Sequence, residues 1–254
     1  MSKYKAQILQ AVDMRGTLSV LELSRMLGVS DQTIRRVSQP LVVSGDLSKV
    51  HGALVSNRTV IDPPFLARMN LNRDAKVAIA RLAAEIIQDN DSVAIDTGST
   101  SGFIAQALRS RKNLTVVTNS AFVASTLAII PGNKVSMAGT QLRDHDGAAF
   151  DRSAFKVIER MQVDFVVLSA SMVDPENGFL VHEQCEVDIA NAMLRNARRA
   201  IMAVDHSKFL PQNRRPALRQ PALTSNDIVL SDLAPPKSFD ELLKGIDIRV
   251  PQCS

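Results

Sequence analysis

From residue 73 onward the chain alternates helical and extended apolar patterns almost without pause, and this alternation constrains the fold most. A helical spacing of Ala78, Ile79, Leu82, Ala83 and Ile86 predicts a helix over 73–88, followed by a strand over 92–96. A turn, Thr97-Gly98-Ser99-Thr100, then leads into a helix ending at Leu108. Further units follow: strand 114–118 with helix 121–129, strand 134–137 and a loop, helix 152–161 with strand 164–169. After another loop come helix 186–197 with strand 200–205, strand 228–231, a helix near 239–244 and a short strand 247–250. Helix–strand alternation of this length predicts an α/β domain, a mainly parallel sheet with helices on both faces.

The first 57 residues follow a different pattern. Ile8, Leu9 and Val12 mark a first helix that stops at Arg15-Gly16. Ser19, with Glu22 three residues later, caps a second helix carrying Val20, Leu23, Met26 and Leu27. Gly28-Val29-Ser30 is a tight turn, and Ser30 or Asp31 caps a third helix that begins Gln32-Thr33-Ile34-Arg35-Arg36. A short hairpin over 47–55 turns at His51-Gly52. Two helices joined by a short glycine turn and followed by a β-wing outline a winged helix-turn-helix. The start of its second helix is the part that enters a major groove. Gln32, Thr33, Arg35 and Arg36 are therefore the candidate base and phosphate contacts, with Ser30 at the cap and Lys49 and His51 on the wing.

Charge supports the same division. The chain carries 30 Lys+Arg and 26 Asp+Glu, a net charge of +4. Residues 1–58 hold eight basic and four acidic side chains, so the whole excess lies there and the remainder is balanced. At 45% hydrophobic and 22% charged residues, the composition excludes a wholly disordered chain. No apolar run approaches the roughly 20 residues of a membrane span. The opening MSKYKAQILQ has no apolar signal core, and Cys185 and Cys253 have no paired spacing. A cytoplasmic protein with no membrane partner is expected. Residues 58–72, with Pro63-Pro64, read as a linker between a domain at 1–57 and one at 73–254.

Ligands of parallel sheets sit at the carboxyl ends of strands. Asp96-Thr97-Gly98-Ser99-Thr100-Ser101 combines a glycine, several hydroxyls and a following helix start, which suits a phosphate. Thr118-Asn119-Ser120 repeats the theme, and Asp205-His206-Ser207-Lys208 adds a cation in Lys208. Glu186 is placed to accept from sugar hydroxyls. A hydroxyl-rich turn taken singly is more often a helix cap than a ligand site, but recurrence at three strand ends of one sheet favours an anion site.

These segments resemble a known family. VSDQTIRRVSQPLVVSGDLSKVHGAL resembles the N-terminal signature of the DeoR family of bacterial repressors, and DTGST, VTNS, DFVVLSAS and VDHSKF resemble its sugar-phosphate-sensing domain. VDHSKF and SDLAPPK look closest to the glycerol-3-phosphate-regulon branch. The resemblance implies a homo-oligomeric (dimeric or tetrameric) repressor of a carbohydrate or sugar-phosphate catabolic operon. Its partners would be double-stranded operator DNA and a phosphorylated sugar or polyol effector, and its sensing domain would be similar in fold to ribose-5-phosphate isomerase. Carried onto this chain, the effector contacts are Asp96, Gly98, Ser99, Thr100, Thr118, Asn119, Ser120 and Lys208, with Ser169 and Glu186 on the sugar side. Two departures stand out. The family continues TIRR with Asp-Leu, whereas Val37-Ser38 and Pro40 follow here, so the recognition helix is expected to shorten or kink near Gln39. The wing reads His51-Gly52-Ala53-Leu54 in place of His-Gly-Gly-Ala.

An isomerase-like enzyme is the alternative, with Glu186 and Lys208 where such an enzyme keeps its base and its lysine. The acidic pair of the isomerase is replaced by Leu168-Ser169-Ala170-Ser171, which favours a non-enzymatic sensor. His182, Glu183, Cys185 and His206 match no zinc spacing, and DTGSTSG is not a dinucleotide fingerprint, so neither metal nor cofactor is expected. Asp144-His145-Asp146 reads as a solvated loop, beside an Arg143 able to reach a phosphate.

Overall fold

A computed structural model of the chain describes residues 3–15, 17–50, 53–56, 65–210 and 216–252. It divides into two compact units, residues 1–68 and 69–254.

The first unit contains α1 (Lys3–Arg15), β1 (Thr17–Ser19), α2 (Val20–Leu27), α3 (Asp31–Val43), β2 (Leu47–Val50), β3 (Ala53–Ser56) and α4 (Phe65–Arg68). Local signals explain most of it. Ser19 caps α2 in a reciprocal box: Glu22 N–H donates to Ser19 Oγ at 3.2 Å, and Ser19 N–H to Glu22 Oε2 at 2.8 Å. Gly28 ends α2 in the left-handed region at φ 65°, and Ser30 caps α3. Ile34 and Leu41 of α3 join Ile8, Val12, Leu23, Leu47 and Leu54 in one buried core. The strand β1 was not expected; it pairs antiparallel with β3 and completes a three-stranded sheet, β1-β3-β2.

One expectation fails here. The helix α3 does not stop near Gln39 but continues through Pro40 to Val43, and the Ser44 N–H donates to Pro40 O at 2.9 Å. The hydrogen bond lost to proline would have ended on the Arg36 carbonyl. Arg36 and Pro40 both lie on the exposed face, where solvent rather than protein is available to replace that hydrogen bond. Within the stretch read as a linker, α4 forms and buries Phe65 and Ala67. Pro63-Pro64, in the same stretch, lies outside the described residues.

The second unit follows as α5 (Arg73–Ile86), β4 (Ser92–Ile95), α6 (Ser99–Ala107), β5 (Thr115–Thr118), α7 (Ala121–Ala128), β6 (Lys134–Met137), α8 (Arg152–Ile158) and β7 (Val163–Ser169). It continues with β8 (Met172–Asp174), β9 (Gly178–Val181), α9 (Gln184–Arg195), β10 (Ala197–Ala203), β11 (Leu218–Arg219), β12 (Ile228–Leu230) and β13 (Asp247–Arg249). Seven strands form a sheet in the order β13-β12-β10-β7-β4-β5-β6, every adjacent pair parallel.

Alternate residues feed two separate cores. Val93, Ile95, Val116, Val167, Ile201 and Ile228 pack on one side with α5, α6 and α7. Ala94, Val117, Val166, Leu168, Met202 and Val229 pack on the other with α8 and α9. A sheet buried on both faces explains why its strands read as nearly unbroken apolar runs. The loop expected after β7 instead forms the antiparallel pair β8-β9, which β11, from the segment after β10, extends to a small sheet, β11-β9-β8. The helix expected near 239–244 is only a 3-10 turn, Lys237–Phe239. No helix among the described residues is long and apolar enough to cross a membrane.

Candidate functional site

Strand order locates the site. From β4 the chain moves to β5 and β6 on one side, then returns to place β7 against the other side of β4. The two directions part between β4 and β7, and a crevice opens at the carboxyl ends of such a pair. Asp96 immediately follows β4 and Ser169 ends β7. They are joined directly: Ser169 N–H donates to Asp96 Oδ2 at 2.8 Å, and Ser169 Oγ to the same oxygen at 3.1 Å. Ser101 Oγ hydrogen-bonds the other oxygen, Asp96 Oδ1. Asp96 thus clamps the switch point from beneath.

Gly98 precedes α6 with an extended backbone at φ 162°. Its glycine identity is explained by proximity, since a Cβ there would lie 2.4 Å from Ser169 Oγ. Ser99 and Thr100 open α6 and are buried. The first N–H groups of a helix lack intrahelical acceptors, so this end presents donors to an anion.

Burial raises the Asp96 carboxyl to about 7, against the hydrogen bonds from Ser101 and Ser169, which lower it. The unfolded carboxylate ionises near pH 4, so between about 4 and 7 the folded chain binds more protons than the unfolded one. The contribution of this group is complete below pH about 4 and weakens as pH rises toward 7. Asp96→Asn mimics the protonated form, its oxygen accepting from Ser169 and its nitrogen donating to Ser101. Chemical denaturation at several pH values should show this slope, on the order of a few kcal/mol, flattened in the variant. An unaltered slope would assign the proton uptake to another group.

The remaining expected contacts lie at neighbouring strand ends. Thr118 ends β5, Asn119 and Ser120 follow it, and all three are fully buried. Thr118 Oγ1 accepts from Ser120 N–H at 3.1 Å, and Ser120 Oγ caps α7 through Val123 N–H at 3.4 Å. Asn119 Nδ2 donates to Ala149 O at 3.1 Å, leaving Oδ1 buried without a partner. After β10, Asp205 Oδ1 accepts from Asn72 Nδ2 at 3.0 Å and from Ser207 N–H at 3.1 Å, while its Oδ2 is buried and unpartnered. Asn72 also donates to Ser207 Oγ at 2.9 Å. Lys208 lies half-buried in the 3-10 turn that follows.

Glu186 sits at the start of α9, where its Oε2 accepts from His182 N–H at 3.2 Å and Glu183 N–H at 3.1 Å. Arg143 approaches it at 3.9 Å, pairs with Glu183 at 2.8 Å and with Asp146, and lies 4.0 Å over the Phe150 ring. Burial works to lower the pKa of Arg143, but hydrogen bonding to Asp146 and the charges of Asp146 and Glu183 raise it overall. Asp146 is buried and ion-paired, which corrects the expectation of a wholly solvated loop at 144–146. Burial pushes the nearby Cys185 thiol up to about 11, so it is protonated at neutral pH. No His/Cys/Asp/Glu cluster among the described residues has the arrangement of a metal site.

Sequence reasoning missed Gln220. It follows β11, is 8% exposed, and donates through Nε2 to Ser169 O at 2.7 Å. A single glutamine after an irregular loop carries no pattern that would have identified it.

In the first unit, Ile34, Ser38 and Leu41 form the buried face of α3, while Gln32, Arg35 and Arg36 are exposed. Ser30 Oγ lies 3.0 Å from Thr33 Oγ1 and accepts from Thr33 N–H at 3.3 Å, ordering the start of the helix. Lys49 is exposed on β2. His51 lies outside the described residues.

Comparison with known proteins matches both units. The family description "DeoR-like helix-turn-helix domain" fits residues 5–60, and "DeoR C terminal sensor domain" fits residues 71–232. The Glycerol-3-phosphate regulon repressor of Escherichia coli (strain K12) is 30% identical over 97% of this chain and 96% of its own length. The HTH-type transcriptional repressor CsqR of the same strain is 29% identical over 80% of this chain and 78% of its own. Among solved structures, ribose 5-phosphate isomerase A from Methanocaldococcus jannaschii aligns at 17% identity and a TM-score of 0.40 over 55% of each chain.

Proposed function

Because this chain belongs to the DeoR family of DNA-binding regulators, we propose that it represses a carbohydrate or sugar-phosphate catabolic operon under the control of a phosphorylated effector. One observation carries the reading. The same polypeptide pairs an α3 whose start exposes Gln32, Arg35 and Arg36 with a parallel sheet whose strand ends at the switch point carry buried polar groups. In this reading Thr33, Arg35 and Arg36 contact operator DNA, with Ser30 and Gln32 beside them and Lys49 and His51 on the wing. The phosphate lies at the start of α6, near Gly98, Ser99 and Thr100, with Lys208 supplying positive charge. Asp96, Ser169, Thr118, Asn119, Ser120 and Glu186 shape the surroundings. Control is a population shift in which the effector binds one arrangement of the homo-oligomer more tightly than another. The protein works in the cytoplasm.

The same geometry supports sensing without turnover. The end of β7 offers Ser169-Ala170-Ser171 in place of carboxylates, and both oxygens of Asp96 are already engaged. An isomerisation assay on pentose phosphates should therefore read background.

The direct test is a thermal-shift screen of phosphorylated sugars and polyols, followed by gel shifts on promoter DNA with and without the hits. A binder raises the melting temperature by mass action. Lys208→Ala should lose the shift and the response to ligand while retaining DNA binding. A normal response in that variant would remove the phosphate from this loop.

A further inference from the structure

We propose that Gln220 is the specificity residue of the crevice, its Oε1 accepting a hydrogen bond from a carbon-borne hydroxyl of the effector; this rests on the reading of the crevice as a sugar-phosphate site. The argument begins with how the side chain is held. The Gln220 N–H donates to Phe179 O at 2.8 Å, extending the pairing of β11 with β9 by one residue. The side chain turns back to the end of β7, where Nε2 donates to Ser169 O at 2.7 Å. A carbonyl can only accept, so the nitrogen end of the carboxamide is fixed there and the oxygen end is left over. That Oε1 is buried and has no partner, in a residue 92% removed from solvent.

Its place is the switch point itself. Ser169, which Gln220 holds by its carbonyl, holds Asp96 by its N–H and Oγ, and its Oγ fills the space where Gly98 has no Cβ. Gln220 is therefore one residue removed from the loop that leads into α6. Among the described residues, other strand ends of the same sheet also carry unpartnered buried polar atoms: the hydroxyls Thr97 Oγ1 after β4 and Ser231 Oγ after β12, and the acceptor oxygens Asn119 Oδ1 after β5 and Asp205 Oδ2 after β10. Asn119 and Asp205 are at least 99% buried. Folds rarely leave buried acceptors unmet.

The chemistry of these atoms selects the ligand class. Phosphate at neutral pH is chiefly an acceptor and is matched by the N–H donors of the helix start, not by carboxamide and carboxylate oxygens. Hydroxyl groups on carbon are donors, and they satisfy those oxygens. The crevice thus takes a phosphorylated polyol or sugar, and Gln220 reads its hydroxylated part rather than its phosphate. A site built to hydrogen-bond a hydroxyl discriminates strongly against ligands lacking it.

The test uses the full chain, with binding of inorganic phosphate, glycerol 3-phosphate, ribose 5-phosphate and fructose 6-phosphate measured by calorimetry. Gln220→Met and Gln220→Leu are compared with the parent, and the melting temperature without ligand checks each fold. The expected result is a loss of at least ten-fold in affinity for the phosphorylated compound the parent binds best, with inorganic phosphate changed less than two-fold. Because each variant is judged by the ratio of the two affinities, a general loss of stability does not imitate the result. Equal losses for both ligands, or no loss, overturn the role of Gln220 while leaving the sugar-phosphate reading intact. A parent protein that binds none of the phosphorylated compounds overturns both.

Discussion

Gly98→Ala is expected to cripple the proposed effector site, and a second substitution is expected to restore it. The added methyl would lie 2.4 Å from Ser169 Oγ, far inside contact distance, but 3.5 Å from Ser169 Cβ and 3.7 Å from Ser101 Oγ, which are ordinary. Because Gly98 has an extended backbone, alanine meets no conformational penalty there; the conflict is with one hydroxyl. That hydroxyl cannot turn away freely, since it donates to Asp96 Oδ2 at 3.1 Å. Relief requires either breaking the clamp between β4 and β7 or shifting the start of α6, and overpacking of this kind costs about 1–3 kcal/mol. Effector-induced stabilisation should disappear with it, because the donors of α6 are displaced. Ser169→Ala removes the offending oxygen, so the double variant should regain most of the lost stability and ligand response. Melting curves with and without the best-binding phosphorylated compound measure both quantities. A double variant no better than Gly98→Ala would mean the requirement for glycine has another origin.

Arg35→Ala should weaken operator binding by about 1–3 kcal/mol if the guanidinium reads a base edge. Stability should not change, because Arg35 is exposed while Ile34, Ser38 and Leu41 form the packed face of α3. Repeating the gel shift across salt concentrations separates two roles. A phosphate contact lowers the salt slope by roughly one and weakens all sequences alike, whereas a base contact relaxes preference at one position. Arg36 is exposed on the same helix and provides the comparison. Unchanged binding at every salt concentration would exclude Arg35 from the interface.

Much of the first unit was legible because its signals are local. Ser19 with Glu22, Gly28 and Ser30 act within a few residues of themselves, and each does in the structure what its chemistry dictates. Pro40 misled for the same reason: its local effect is real, but an exposed helix face absorbs it. In the second unit the alternation of patterns foretold parallel strands and the helices between them. It did not foretell β8, β9 and β11, whose short runs lack the length to be distinguished from loop. Hydroxyls that looked like ligand contacts proved to have internal partners as well. Ser120 caps α7 and Ser101 bonds Asp96, uses that a local pattern cannot separate from anion binding.

By itself the sequence determined that a basic winged helix-turn-helix precedes an electrically balanced parallel α/β domain, because periodicity, capping and charge are properties of neighbouring residues. Only the tertiary structure decided which strand ends meet at the switch point and which polar groups they bring together. Ser169 meets Asp96 across 73 positions, Gln220 meets Ser169 across 51, and Asn72 meets Asp205 across 133. Such contacts follow from strand order, which is set by how whole helices and strands pack around two cores. No short window of sequence records that packing, so the groups it brings together become visible only once the chain has folded.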